Sequence, residues 1–242
     1  MEAGRFLDRD RSGLDLGGIL LRRNAPSPVK IVIIEDHKLV RDMLAVSCRG
    51  VVPDAQVHVG SNGMEGVELC RREQPDLIFL DLVLPDADGL DLVPQIFAAT
   101  PLSKVIALSS FADEFTVHRA LRANVHGFVD KNEQPLDVLK EAIETVMSGR
   151  SYFSSAVQQL KASLRSDPAS FDKLLSEHEQ RLLSLFGEGL SNETVAERVG
   201  LSASTVKAHR RNILSKLGIH STPELIHYAL EKGFTRVRRP KN

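Results

Sequence analysis

From Val29 onward, short runs of β-branched and aliphatic residues alternate with longer stretches whose apolar positions recur every three or four residues. Runs of the first kind, at residues 30–35, 56–61, 77–81, 104–109 and 127–130, predict strands. The stretches between and after them predict helices over residues 37–49, 63–73, 89–99, 113–123 and 135–148. Five such βα units imply a doubly wound five-stranded parallel sheet with helices on both faces. Past Leu174 the strand pattern stops. Four helical segments follow, at residues 176–187, 192–199, 202–217 and 223–232, punctuated by Gly189, Gly200 and Gly218. The expected fold class is therefore α/β followed by a smaller all-α unit.

This pattern divides the 242 residues into a flexible extension (1–28), an α/β domain (29–149), a linker (150–172), a four-helix domain (173–235) and a basic tail (236–242). The linker assignment rests on the polar, Ser-rich composition of the stretch, with Asp167-Pro168 near its end, and its middle reads as compatible with a helix. Charge separates the halves further. From Asp172 on there are 12 Lys and Arg against 8 Asp and Glu, leaving 19 against 24 before it. An acidic front suits cations or phosphoryl groups, and a basic back suits nucleic acid. Cys48 and Cys70 lie in helical apolar patterns without metal-ligand spacing, which predicts reduced core thiols. No apolar run approaches the roughly 20 residues that span a bilayer, so no membrane association and a cytoplasmic location are expected.

In an open parallel sheet, ligands bind at the carboxyl ends of the strands. Those ends are polar here: Glu35 and Asp36 follow the first, Asp81 closes the third, Ser109 the fourth, and Lys131 follows the fifth. Three carboxylates in one crevice repel one another unless a cation binds, and oxygen ligands without His or Cys favour Mg²⁺. A lysine and a hydroxyl beside them suit a tetrahedral anion. Taken singly, Asp36 and Asp81 read equally well as helix or turn caps, Lys131 as a solvated loop residue and Ser109 as a turn residue. Their joint placement on matching strand ends favours phosphoryl chemistry.

The stretches Ile33-Ile34-Glu35-Asp36-His37, Ile78 to Leu82 with Leu84-Pro85 and Asp88-Gly89, Ala107-Leu108-Ser109, and Gly127-Phe128-Val129-Asp130-Lys131 resemble CheY-type receiver domains. The resemblance implies that Asp81 accepts a phosphoryl group from a sensor histidine kinase. It implies Mg²⁺ held by Asp36, Asp81 and the Val83 backbone carbonyl, with Glu35 assisting. Lys131 would pair with phosphoryl oxygens, Ser109 would move to bond one, and Phe128 would be the aromatic switch that follows. Leu84 and Ser109 stand where methionine and threonine are commoner, with size or hydroxyl kept.

Among the helices, Ser202 precedes a segment with Val206, Ile213, Leu214 and Leu217 on one face and Lys207, Arg210 and Arg211 elsewhere. Such a helix read by itself is a solvated surface helix. A short preceding helix and the tight Gly200-Leu201 connection turn it into a helix-turn-helix. Leu190-Ser191-Asn192, Val195-Ala196, Ser202, Thr205-Val206-Lys207, His209, Ile213 and Lys216-Leu217 are similar to the LuxR-type DNA-binding domain, which together with the receiver resembles the NarL/FixJ class of response regulators. That resemblance implies base-facing positions at Lys207, Ala208 and Arg211, and phosphate-facing ones at Asn192, Ser204, Thr205, Arg210 and Lys216. His209 reads equally as packing or DNA contact. His178 replaces a usual arginine, and the turn His220-Ser221-Thr222-Pro223 lacks the usual Asn-Arg pair.

The expected function is a non-enzymatic response regulator whose phosphorylation controls binding to double-stranded DNA. Expected partners are a sensor histidine kinase, a second copy of the chain when phosphorylated, and RNA polymerase. Two alternatives differ in class. A Mg²⁺-dependent phosphatase of haloacid dehalogenase type needs an aspartate two residues past its nucleophile, where this chain has Val83. A protein-binding adaptor would not need Lys207 and Arg211 on the outer face of a helix.

Overall fold

The computed structural model describes residues 28–133 and 135–236; the expectations for residues 1–27 and for 237–242 lie outside these described residues. Six parallel strands form one sheet: β1 (Lys30–Ile34), β2 (Gln56–Gly60), β3 (Leu77–Asp81), β4 (Lys104–Ser109), β5 (Gly127–Asp130) and β6 (Tyr152–Phe153), in the order β2-β1-β3-β4-β5-β6. Between the first five run α1 (Lys38–Val51), α2 (Gly63–Glu73), α3 (Gly89–Ala99) and α4 (Glu114–Arg122), and α5 (Pro135–Met147) follows β5. Alternate residues of each central strand serve opposite cores. Ile31, Ile33, Leu77 and Phe79 pack with the inner faces of α1 and α5. Val32, Ile34, Ile78 and Leu80 pack with α2, α3 and α4. Because both faces are covered, the strands read as nearly continuous apolar runs. Cys48 and Cys70 are fully buried among these side chains, and burial pushes both thiols up to about 12.

The order reverses at β1, which has β2 on one side and β3 on the other. That reversal opens a crevice beyond the carboxyl ends of β1 and β3. A Cβ on Gly89 would strike the backbone carbonyl of Asp81, so glycine lets the start of α3 close tightly beneath this crevice.

Residues 150–172, expected as a linker whose middle could be helical, hold a short strand and two helical segments, and the strand count departs from five. Tyr152 and Phe153 pair with Gly127 and Phe128 as a sixth strand. They are followed by α6 (Ser155–Ser166), which packs on α4 and β5, and by the single turn α7 (Phe171–Leu174). Val157 and Leu164 recur at helical spacing and are buried, with Leu160 packed beside the same core. Three apolar residues on one stripe suffice to hold a helix that a polar average composition conceals.

The helical domain comprises α8 (Glu177–Gly187), α9 (Asn192–Val199), α10 (Ala203–Leu217) and α11 (Thr222–Glu231). Ser176, Ser191, Ser202 and Ser221 each cap one of these helices by side-chain oxygen. The Ser176 cap is a full capping box closed by Glu179. Among the described residues no helix is long and apolar enough to cross a membrane.

The two domains share a seam along α4. Phe234, just past α11, stacks on Phe115 of α4 with ring centroids 4.0 Å apart, and Phe171 of α7 meets both rings edge-on. The Phe115 N–H donates to the Lys232 carbonyl at 3.0 Å, so an unsatisfied amide in the first turn of α4 is capped by the end of α11. Lys232 pairs with Glu114 at 2.8 Å, Arg236 with Asp113 at 3.3 Å, and Arg122 with Glu177. Gly233 has φ 82°, and a Cβ there would run into the Asp113 carboxylate. Both its backbone conformation and this close approach require glycine.

Candidate functional site

At the sheet's carboxyl edge, β1 ends into Glu35 and Asp36 and β3 into Asp81, and carboxylate oxygens of all three lie within 4.8 Å of one another. Glu35 and Asp81 are buried, whereas Asp36 is exposed, so the cluster opens to solvent on one side. Lys131, following β5, reaches into it. Its Nζ lies 2.6 Å from Glu35 Oε2 and 2.9 Å from Asp81 Oδ2. The Glu35 carboxyl sits above the ordinary carboxylate range, chiefly because burial disfavours its charge; the Lys131 hydrogen bond opposes this and the nearby Asp81 charge adds to it. The Val83 N–H donates to Asp81 Oδ1 at 3.1 Å, fixing the carboxylate's orientation. His37 is the N-cap of α1 and makes no side-chain cap, so Asp36 is not spent on capping that helix. The donor set is all oxygen, with one exposed member and one internal cation, and suits a hard divalent metal.

Ser109 ends β4 with its Oγ turned into its own loop. It donates to the Phe111 carbonyl and accepts from the Phe111 N–H, each at 3.0 Å. Phe128 is fully buried in β5, and its carbonyl accepts from the Ser154 N–H at 3.0 Å, which places β6 and α6 directly beside it.

Several supports carry no local signal in the sequence. Asp86 receives the Gly63 and Met64 N–H groups, at 2.8 and 3.0 Å, and so ties the loop after Asp81 to the start of α2. Arg119 of α4 donates to Asp88 and Asp91, both at 2.7 Å, clamping α4 onto the start of α3. Asn132 Nδ2 bridges the Ser110 carbonyl and Asp130 Oδ1, both at 2.8 Å, joining the loops that follow β4 and β5. Arg41 donates to the Glu35 carbonyl at 2.7 Å.

On α10, Ser204, Lys207 and Arg211 are exposed and Ala208 half-buried; their three- and four-residue spacing gathers them on one face. Thr205 is exposed at the capped end, where the Ser202 hydroxyl accepts its N–H at 3.1 Å. The remaining expected contact residues are less free. Arg210 donates to the Leu190 carbonyl at 2.8 Å and lies 4.2 Å from the Phe186 ring centroid. Lys216 is held by both oxygens of the buried Glu179, at 2.8 and 2.7 Å. Asn192 begins α9, and its Oδ1 is buried without a protein partner. His209 meets His178 edge-on at 5.0 Å between ring centroids.

Comparison with known proteins agrees with this layout. Residues 31–144 match the response regulator receiver domain, and residues 173–229 match the bacterial regulatory proteins of the luxR family. The chain is 34% identical over 204 residues to the Fimbriae Z protein of Salmonella typhimurium, covering 84% of this chain and 96% of that one. It is 32% identical over 213 residues to the Oxygen regulatory protein NreC of Staphylococcus aureus, covering 84% and 98%. It is also similar in fold to RcsB from Salmonella enterica serovar Typhimurium, solved bound to promoter rprA with phosphomimetic BeF3-; the TM-score is 0.60 at 21% identity, over 83% of this chain and 98% of that one. With both domain types matched in series and relatives aligned along most of its length, the chain belongs to the two-component response regulators that join a receiver domain to a LuxR-type DNA-binding domain.

Proposed function

We propose that this protein is a cytoplasmic transcription regulator in which phosphorylation of Asp81 by a sensor histidine kinase alters DNA binding through α10. The observation that carries the reading is the 2.9 Å contact of Lys131 with Asp81 inside a three-carboxylate cluster. In the transfer, an Asp81 oxygen attacks phosphorus, the phosphohistidine N–P bond breaks, and the imidazole leaves with the bonding pair. Mg²⁺ held by Glu35, Asp36, Asp81 and the Val83 carbonyl would neutralise charge on the transferred group. Lys131 gives up part of its bond to Asp81 and pairs with phosphoryl oxygens instead. Ser109 leaves its loop to donate to one of them, and Phe128 takes up the space this opens. Val83 supplies no acid two residues past Asp81, which favours a long-lived acyl phosphate over rapid enzymatic turnover.

On the output side, Lys207 and Arg211 would donate to base edges, Ala208 would touch a thymine methyl, and Ser204 and Thr205 would bond phosphates. Asn192 at the start of α9 would add to the phosphate set, as would Arg210 and Lys216 on release of their bonds to Leu190 and Glu179. RcsB has been solved as dimers bound to DNA. A phosphorylation-promoted homodimer of this chain, contacting two half-sites and then RNA polymerase, fits the same logic. The test is incubation with a small phosphodonor and Mg²⁺, followed by intact-mass measurement. One phosphoryl group should add to the wild type and none to Asp81→Asn; labelling of the variant at another residue would sink the assignment.

A further inference from the structure

One side chain on the seam touches both halves of this machinery. The Ser109 hydroxyl has a single proton, and that proton is given to the Phe111 carbonyl. The Phe111 ring, 49% exposed, lies beneath the guanidinium of Arg236, whose central carbon is 4.5 Å from the ring centroid. Arg236 also donates to Asp113 Oδ2 at 3.3 Å and to Thr116 Oγ1 at 2.9 Å, both at the start of α4. Two residues earlier, Phe234 is buried against Phe115 and Phe171. An unbroken line of contacts therefore runs from the hydroxyl at the end of β4, through the Phe111 backbone and ring, to the segment that follows α11.

We propose that Ser109, Phe111 and Arg236 form a latch, in which docking of the segment Gly233 to Arg236 on α4 and engagement of a phosphoryl group by Ser109 exclude one another. This rests on the phosphoacceptor reading above and names the regulation of that site. A hydroxyl that donates to a phosphoryl oxygen on Asp81 cannot also donate to the Phe111 carbonyl. Once the carbonyl is released, the tight turn around Ser109 and Phe111 loses the bond that fixes the ring under Arg236. A cleft of about 1020 Å³, lined by Leu84, Asp88, Phe111, Arg119, Phe234 and Arg236, gives the ring room to turn. Arg236 then keeps only its partly exposed contacts with Asp113 and Thr116, and the end of α11 is held more weakly.

Two mutually exclusive states make the coupling reciprocal: whatever favours the phosphoryl-bound state loosens the segment, and whatever loosens the segment favours the phosphoryl-bound state. Reciprocity holds for equilibria, so the probe is beryllofluoride with Mg²⁺, titrated into the full-length chain by calorimetry. Arg236→Ala and Phe111→Ala should each bind beryllofluoride about threefold more tightly than wild type, the scale of one exposed cation–π contact. Phe111→Tyr keeps a ring under the guanidinium and should retain wild-type affinity, which a merely structural role for bulk at the turn does not demand of Arg236→Ala. The double variant should bind no more tightly than either single one, since both remove the same contact. In the wild type, hydrogen exchange of residues 233–236 should quicken when beryllofluoride is added. Unchanged affinities in both alanine variants, or fully additive gains in the double variant, would overturn the latch while leaving phosphorylation intact. If the wild type takes up no beryllofluoride, the phosphoacceptor reading fails, and the latch fails with it.

Discussion

In the pocket, Lys131 is held between Glu35 and Asp81 with only 17% of its side chain exposed, and these three charges are placed by the ends of three different strands. On α10, Lys207 and Arg211 project into solvent from a single helix that would form equally well without them. The first arrangement makes folding and function interdependent, because removing one charge strands the others in a desolvated place. The second separates them, since an exposed cation contributes to binding a polyanion without contributing to the core. Arg210 belongs to the second region by sequence and to the first by behaviour: it is one residue from Arg211, yet it is spent on the Leu190 carbonyl and the Phe186 ring.

The strongest way to break this contrast is Lys131→Met. Leaving Glu35 and Asp81 buried without their cation should lower unfolding stability by about 3 kcal/mol in chelator, measured by urea titration at neutral pH. The same variant in an Asp81→Asn background should lose much less, because only one carboxylate is then left uncompensated. Lys207→Ala should change stability by under about 0.5 kcal/mol. A neutral Lys131→Met would mean the pocket is no more interdependent than the helix surface.

Next in size, Lys207→Ala and Arg211→Ala should each weaken binding to the specific site by about 1–3 kcal/mol while leaving folding untouched. Equal loss on random DNA would reassign either residue to phosphate contact. Arg210→Ala sharpens the comparison from the other side. It should cost about 1–2 kcal/mol of domain stability, through the lost carbonyl bond and ring contact, visible in thermal unfolding before any DNA is added. If stability is unaffected and only the salt slope of DNA binding flattens, Arg210 is a phosphate contact after all.

What the sequence makes legible follows from the same contrast. Glu35, Asp36, Asp81, Ser109 and Lys131 can be found because each terminates a recognisable strand, and parallel strands bring their ends together without further information. Lys207 and Arg211 can be found because helical period alone puts them outside the apolar stripe. Neither device shows which loop meets which helix, so the Arg119 clamp on Asp88 and Asp91, 31 and 28 residues away, is invisible in local pattern. Lys216 looks like a free cation for the same reason: the buried Glu179 that holds it lies 37 residues earlier. Two-residue β6 is too short for any alternation, and the rings of Phe115, Phe171 and Phe234 sit in three separate segments whose meeting only the fold reveals.

The smallest effect concerns that seam. His118, on α4, meets Phe171 edge-on at 5.4 Å, and its Nε2 is buried without a partner. Burial is the main cause holding its pKa below the ordinary histidine value; Asp172 works upward, Arg122 downward and Glu177 upward. A histidine whose folded pKa is depressed binds fewer protons in the docked chain than in the unfolded one, so its contribution to stability grows with pH. That contribution is full above the unfolded value of about 6.5 and drains away as pH falls from there toward the folded value. The protection factor of the Phe115 amide, which is bonded to Lys232 across the seam, should therefore fall from neutral to mildly acid pH, an excess slope on top of the intrinsic pH dependence of exchange. His118→Gln carries no titrating proton and should remove this excess slope. If the slope survives the substitution, His118 is not its source.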